Sequence, residues 1–152
     1  MSKGSRFPPQ GFGGASPIQE QIFRVSDPDG YIGTHPSVYM VDAQPDKTVK
    51  IGVEIAADLE PSAIQLLIIP TATGNIRWSA NYNYGALGTE AYNATAGAIA
   101  ATTTAVVNGI LTPITLTIPG IDAGDILGIE FIGDLDNAIN TASYHVLGVR
   151  VS

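Results

Sequence analysis

The chain has 152 residues, 45% of them hydrophobic but only 14% charged, and a formal net charge of -7. Length and hydrophobic share support one domain with a sizeable core and exclude general disorder. The absence of cysteine excludes disulfides, thiolate catalysis and cysteine-ligated metals.

Residues 1–24 hold Lys3, Arg6 and Arg24 against Glu20, a local charge of +2, whereas residues 25–152 hold four basic and thirteen acidic side chains, or -9. An acidic body repels phosphate backbones, so nucleic-acid binding is not expected. The first seventeen residues contain Gly4, Gly11, Gly13, Gly14, Pro8, Pro9 and Pro17, which defeat both helix and central strand. Phe7, Phe12, Ile18, Ile22 and Phe23 punctuate this segment, and apolar groups of that kind gain only when docked in a groove. Residues 1–24 are therefore expected to form an extended arm that crosses onto another chain, with residues 25–152 as the folded body. The slightly basic arm suits the acidic body of a neighbour. A merely solvated tail is the other reading. The opening residues lack the apolar stretch of a signal peptide, and synthesis in the cytoplasm is expected.

Past about Gln21 the pattern turns to period two. Val38–Val41 is a weak strand candidate. Val49, Ile51, Val53 and Ile55 alternate with polar residues and glycine, as in a half-buried strand. Ile64–Ile69 lies between Pro61 and Pro70 and is far too short to span a membrane, so no membrane partner is expected. Ile76, Trp78, Ala80, Tyr82 and Tyr84 share one face and Asn75, Arg77, Ser79, Asn81 and Asn83 the other, which assigns the aromatic side to the core. Residues 86–107 mix alanine, a helix former, with threonine, a strand former. A strand near Thr102–Val107 is expected there, with loops before it or a short helix around Ala91–Ala101. Ile114–Ile118, Ile126–Ile132 and Tyr144–Val151 complete the set. Asp27-Pro28-Asp29-Gly30, Asn108-Gly109 and Pro119-Gly120 read as turns, the second suited to a hairpin. Seven or eight short strands so punctuated predict an all-β antiparallel sandwich or jelly roll.

Chemistry is sparse. His35 and His145 fall in separate segments, and the nucleophile elbow, zincin, P-loop and dinucleotide motifs are all missing. Asp134 and Asp136, with Asp122, Asp125 or Glu130, are candidates for a hard cation such as Ca²⁺, although Asp in such loops more often caps a turn. No cofactor and no catalytic residue is expected, and the chain is not read as an enzyme.

The strand Ile76-Arg-Trp-Ser-x-x-Tyr-x-Tyr84, the Thr/Ala-rich excursion after it and Ile118-Pro119 resemble a domain of tailed-bacteriophage structural proteins. So do Gly124-Asp-x-Leu127, the loop Asp134–Asn137 and the closing Val149-x-Val151. With the Gly/Pro-rich arm, the chain looks most like a capsid decoration (cement) protein of the trimeric type found on thermophilic long-tailed phages. These motifs span about residues 47–151. The resemblance implies a jelly-roll domain that trimerises on the outside of the capsid, tied to the major capsid protein shell and to neighbouring decoration subunits by an extended segment. The Arg-Asp pair common in that family is broken here, where Phe131-Ile132-Gly133-Asp134 stands. Arg6, Phe7, Phe12, Ile18, Ile22 and Phe23 are the expected partner-binding residues. A glycan- or receptor-binding jelly roll of a phage tail or cell surface is the alternative.

Overall fold

The computed structural model describes residues 19–152, and every regular element in them is a β-strand. In chain order these are β1 (Gln21–Arg24), β2 (Gly30–Ile32), β3 (His35–Met40), β4 (Lys47–Glu54), β5 (Ile64–Pro70), β6 (Gly74–Ala86), β7 (Thr95–Val106), β8 (Thr112–Thr115), β9 (Asp125–Gly133) and β10 (Tyr144–Val151). One sheet runs β2-β3-β10-β5-β8, with β1 also on β10, and the other runs β4-β9-β6-β7. The pairing is nested and antiparallel: β3 with β10, β4 with β9, β5 with β8 and β6 with β7. An eight-strand ribbon paired from its ends inward and folded into two sheets is a jelly roll. The expected fold class is the one the chain adopts.

Alternation explains which faces meet. Val49, Ile51 and Val53 of β4, Leu127, Ile129 and Phe131 of β9, and Ile76, Trp78 and Ala80 of β6 are buried, while Lys50, Gly52 and Glu54 look outward. The opposing sheet contributes Val38, Met40, Leu66, Ile68, Tyr144 and Val149. Trp78 stacks on Phe131 at 5.6 Å between ring centroids, and Phe131 meets Tyr144 edge-on at 6.3 Å, which joins the sheets through aromatic contact. Each such side chain contributes about 1.5–3 kcal/mol by leaving water. The Trp78 indole N–H donates to Thr104 Oγ1 at 3.0 Å, satisfying its one polar atom. Tyr84 is buried too and Tyr82 packs against the core, so the aromatic face of β6 points inward as expected.

Several local expectations are corrected. The strand expected near Thr102–Val107 begins earlier, at Thr95, after an irregular stretch over residues 87–94, and no helix forms around Ala91–Ala101. Hydrogen bonding to β6 along the whole length outweighs the helix preference of alanine, and the Tyr82 ring lies over Gly97, where any side chain would collide with it. Asn108-Gly109 joins β7 in one sheet to β8 in the other, so it makes a crossover instead of a hairpin. The hairpin turn lies at Gly33-Thr34 between β2 and β3, with Gly33 at φ 57°. In Asp27-Pro28-Asp29-Gly30 the residue that matters is Asp29. Its carboxylate accepts from Tyr39 N at 3.0 Å and from Lys47 Nζ, pinning the connection to β3 and to the start of β4.

The expected arm–body boundary at residues 24 and 25 also moves. Gln21–Arg24 is a strand of this chain's own sandwich, paired with Gly148–Val151 of β10. β10 carries a bulge between Val146 and Gly148. Residues before it pair with β3, and residues after it pair with β1 along the same edge. The alternation of Gln21–Arg24 matches the free half of the β10 edge, and Gly148 leaves room for the close approach of the Phe23 carbonyl.

Candidate functional site

Of the six residues expected to bind a partner, Arg6, Phe7, Phe12 and Ile18 lie outside the described residues. Ile22 and Phe23 are on β1. Phe23 packs against this chain's own core, so its assignment as an anchor on another chain is corrected. Ile22, on the opposite face of the strand, is 50% exposed and stays available to a neighbour. Glu20 meets Arg150 at 3.5 Å, and the Gln21 side chain bridges the Glu54 carbonyl and the Ala56 N–H. The chain is thus fastened to the sandwich from Glu20 onward.

The two histidines do not converge. His35 is exposed beside the β2–β3 turn. His145 Nδ1 lies 2.8 Å from Ser37 Oγ, with the Tyr39 ring stacked on the imidazole at 4.2 Å. Burial lowers the His145 pKa, and the Asp29 carboxylate partly opposes that shift. Serine, histidine and aspartate therefore lie close together, a grouping that separation in sequence concealed. Ser37 is fully buried, however, and no substrate reaches its hydroxyl. The pair satisfies two buried polar groups between adjacent strands.

The carboxylates sort differently from expectation. Asp134 and Asp136 are joined by Asp46, with carboxylate oxygens all within 4.8 Å of one another. Desolvation and the neighbouring Asp136 and Asp134 raise the Asp46 pKa. Asp122, Asp125 and Glu130 are not part of this group. Asp125 is buried and accepts from the Asp122 N–H at 2.8 Å, as a turn cap does, while Glu130 accepts from Asn81 Nδ2 at 3.0 Å. Three oxygen donors are a partial ligand set for a hard cation, which takes six to eight. Asp46 was missed because an isolated Asp between β3 and β4 carries no spacing signal.

The most evident concavity of the second sheet is on its outer face. Gly52 of β4 pairs with Gly128 of β9, and Gly128 pairs with Asn83 of β6, so a row across three strands carries only one side chain. The result is a trough of about 440 Å³ with a backbone floor, bordered by Lys50, Asn81, Asn83 and Glu130. Lys50 Nζ and Glu130 Oε2 are 3.9 Å apart along one wall. Such a trough can take an extended polar segment or a hydroxyl-rich ligand by hydrogen bonding. The signal for it was the glycine on the wet face of each of two alternating strands.

No protein-family model and no curated protein matches the chain. Among solved structures, one of infectious bursal disease virus, Gx strain, is similar over 90% of this chain and 32% of that one, at 16% identity and a TM-score of 0.39. The chain spans about a third of that chain's length, and a likeness this distant assigns no family.

Proposed function

We propose that this chain is a non-catalytic structural protein of a tailed-phage virion. In this reading it binds the exterior of the capsid as a homotrimer and stabilises the shell through inter-subunit contacts of its N-terminal residues. The observation that carries the reading is a jelly roll entered at a sheet edge. β1 lies along the rim of β10, so the first described element occupies a sheet edge. The resemblance of residues 47–151 to decoration proteins and the enclosure of Ser37 and His145 support it. The physics is linkage. Each contact is modest, but once one is made the others form at high effective concentration. A protein that binds only the assembled shell stabilises it by mass action.

The test is co-sedimentation with empty shells of the full chain and of a chain lacking residues 1–18. The deletion is expected to weaken binding at least tenfold, about 1.4 kcal/mol, and Phe7→Ala with Phe12→Ala to reproduce much of that loss. Equal binding by the deletion removes the arm from the proposal. A full chain with no affinity for shells removes the proposal itself.

The outer-face trough favours a second reading, a glycan- or receptor-binding module. Asn81, Asn83 and Glu130 offer both donors and acceptors to sugar hydroxyls. The stacking platform usual for sugars is not supplied by Trp78, which is 3% exposed. Glycan binding by the isolated protein, abolished by Asn83→Ala, would favour this reading over the first.

A further inference from the structure

The most unusual surface is the flank formed by β7 and β8. Between residues 91 and 121 the chain has no Asp, Glu, Lys, Arg or His, although its net charge is -7. β7 is the last strand of one sheet and β8 the last strand of the other. The crossover at residues 107–111 joins them, running beside the β5–β6 connection with Gly109 N donating to the Pro70 carbonyl at 2.8 Å. Both edges therefore lie on one side of the sandwich, away from β1 and β4.

Among the described residues β7 pairs with β6 alone, so one of its edges presents backbone N–H and C=O groups without a strand partner. Soluble proteins usually protect such an edge with lysine, proline or a very short strand. β7 has no charge and no proline over twelve residues, and its exposed side chains are all alanine or threonine, Ala98 and Ala105 among them. The only irregularity is a bulge opposite Ser79, which divides the edge into two straight runs. Large apolar side chains stand exposed beyond both ends: Leu87 and Tyr92 at 73% and 76%, and Val107, Ile110 and Leu111 at 55–57%. Glu90 lies next to the first pair, and Arg77 reaches Thr103 from the sheet face.

We propose that this flank is the surface through which copies of the chain associate, flank against flank about a symmetry axis. The charge distribution selects the occupant. Two copies with net charge -7 repel each other, and an uncharged flank is where they can approach without setting like charges together. A basic partner would gain nothing from an uncharged surface. Size agrees: β7 spans about 40 Å at roughly 3.3 Å per residue, and stacked sheets lie about 10 Å apart. The face between the two edge strands is thus about 400 Å² before side chains widen it, which suits a weak, reversible association below the roughly 800 Å² per partner of a standard interface. The inference stands without the capsid reading, since it concerns the pure protein.

The test is sedimentation velocity of the shell-free full chain between 1 and 100 μM, alone and as three variants. Ala98→Lys with Ala105→Lys reduces the magnitude of the net charge, from -7 to -5, so general repulsion falls and a loss of association has to come from the flank. Leu111→Glu probes the apolar end with the opposite sign. Thr48→Lys, exposed on β4 at the opposite edge of the same sheet, is the control. The unmutated chain is expected to associate, the flank variants to weaken association at least tenfold with unchanged melting, and the control to match the unmutated chain. Hydrogen exchange on the unmutated chain needs no variant to fold, and β7 amides are expected to gain protection as concentration rises. A monomer at 100 μM, flank variants that associate normally, or a control that dissociates equally would each overturn the inference. So would a monomeric chain whose flank variants lose only shell binding, because the flank would then belong to a shell contact.

Discussion

The hydroxyl of Tyr144 is buried with no hydrogen-bond partner, although its ring completes the aromatic contact between the sheets. Burial also raises its pKa, so the phenol stays neutral. An unpaired buried hydroxyl costs about 1–3 kcal/mol. Tyr144→Phe keeps the ring and removes that cost, and a gain of about 1 kcal/mol in urea unfolding with unchanged slope is expected. Loss of stability would mean that the hydroxyl has a partner. At His145 the sign is set by the lowered pKa. The unfolded chain takes up the proton first as pH falls, so the histidine's share of stability is intact above its unfolded value of 6.5 and is lost below it, until the folded value is passed. Asp29 acts lower on the scale. Burial alone would raise its pKa, but bonds from Lys47 and Tyr39 outweigh that and hold it below 3.8, so its share is lost only as pH falls past 3.8 toward that folded value. Between pH 7 and pH 5 the urea midpoint is therefore expected to fall, and to fall less in His145→Gln. An identical fall in both proteins would show that the histidine does not contribute.

Among the elements, β10 decides the most. It pairs with β5 along one edge and divides the other between β3 and β1 at its bulge. A Cβ at Gly148 would collide with the Phe23 carbonyl and come within 3.0 Å of Arg24 Cα. Both are backbone atoms, which cannot swing aside as a side chain can. Gly148→Ala is therefore expected to undock β1 while β3 and β5 stay paired. The cost should be about 1–3 kcal/mol, the usual range for overpacking. Hydrogen exchange checks it, with protection lost at residues 21–24 and retained at residues 38–40. Uniform loss of protection would mean that β1 and the sandwich form one cooperative unit.

For the whole molecule, the relevant property is that residues 25–152 carry a continuous core drawn from both sheets. Val25, Val38, Met40, Trp78, Phe131 and Tyr144 are all less than 9% exposed in the single chain. Removing residues 1–18 is accordingly expected to leave the melting temperature of the shell-free protein within one or two degrees. A drop of ten degrees would place those residues in the stability of the body and contradict their assignment as an arm. The division of charge, +2 before residue 25 and -9 after it, still suits contact between the N-terminal residues and an acidic neighbour. β1 narrows the segment available for that contact to the residues before Glu20.

The sequence by itself determined the strands that have one wet and one dry face. A period of two is a local property, and Val49–Ile55 and Ile76–Tyr84 announce themselves through it. It also determined that the aromatic side of β6 faces the core, because the other side is Asn, Arg and Ser. Only the tertiary structure decided the rest. Residues 95–106 became a strand because β6 offered an edge along their whole length, and Gln21–Arg24 became one because β10 had half an edge free. Ser37 with His145, Asp46 with Asp136, and Gly52 with Gly128 are pairs that chain distance hides and strand pairing creates. Periodicity reports how a strand meets water, whereas its neighbours depend on which free edge satisfies its backbone hydrogen bonds, and that is a property of the folded whole.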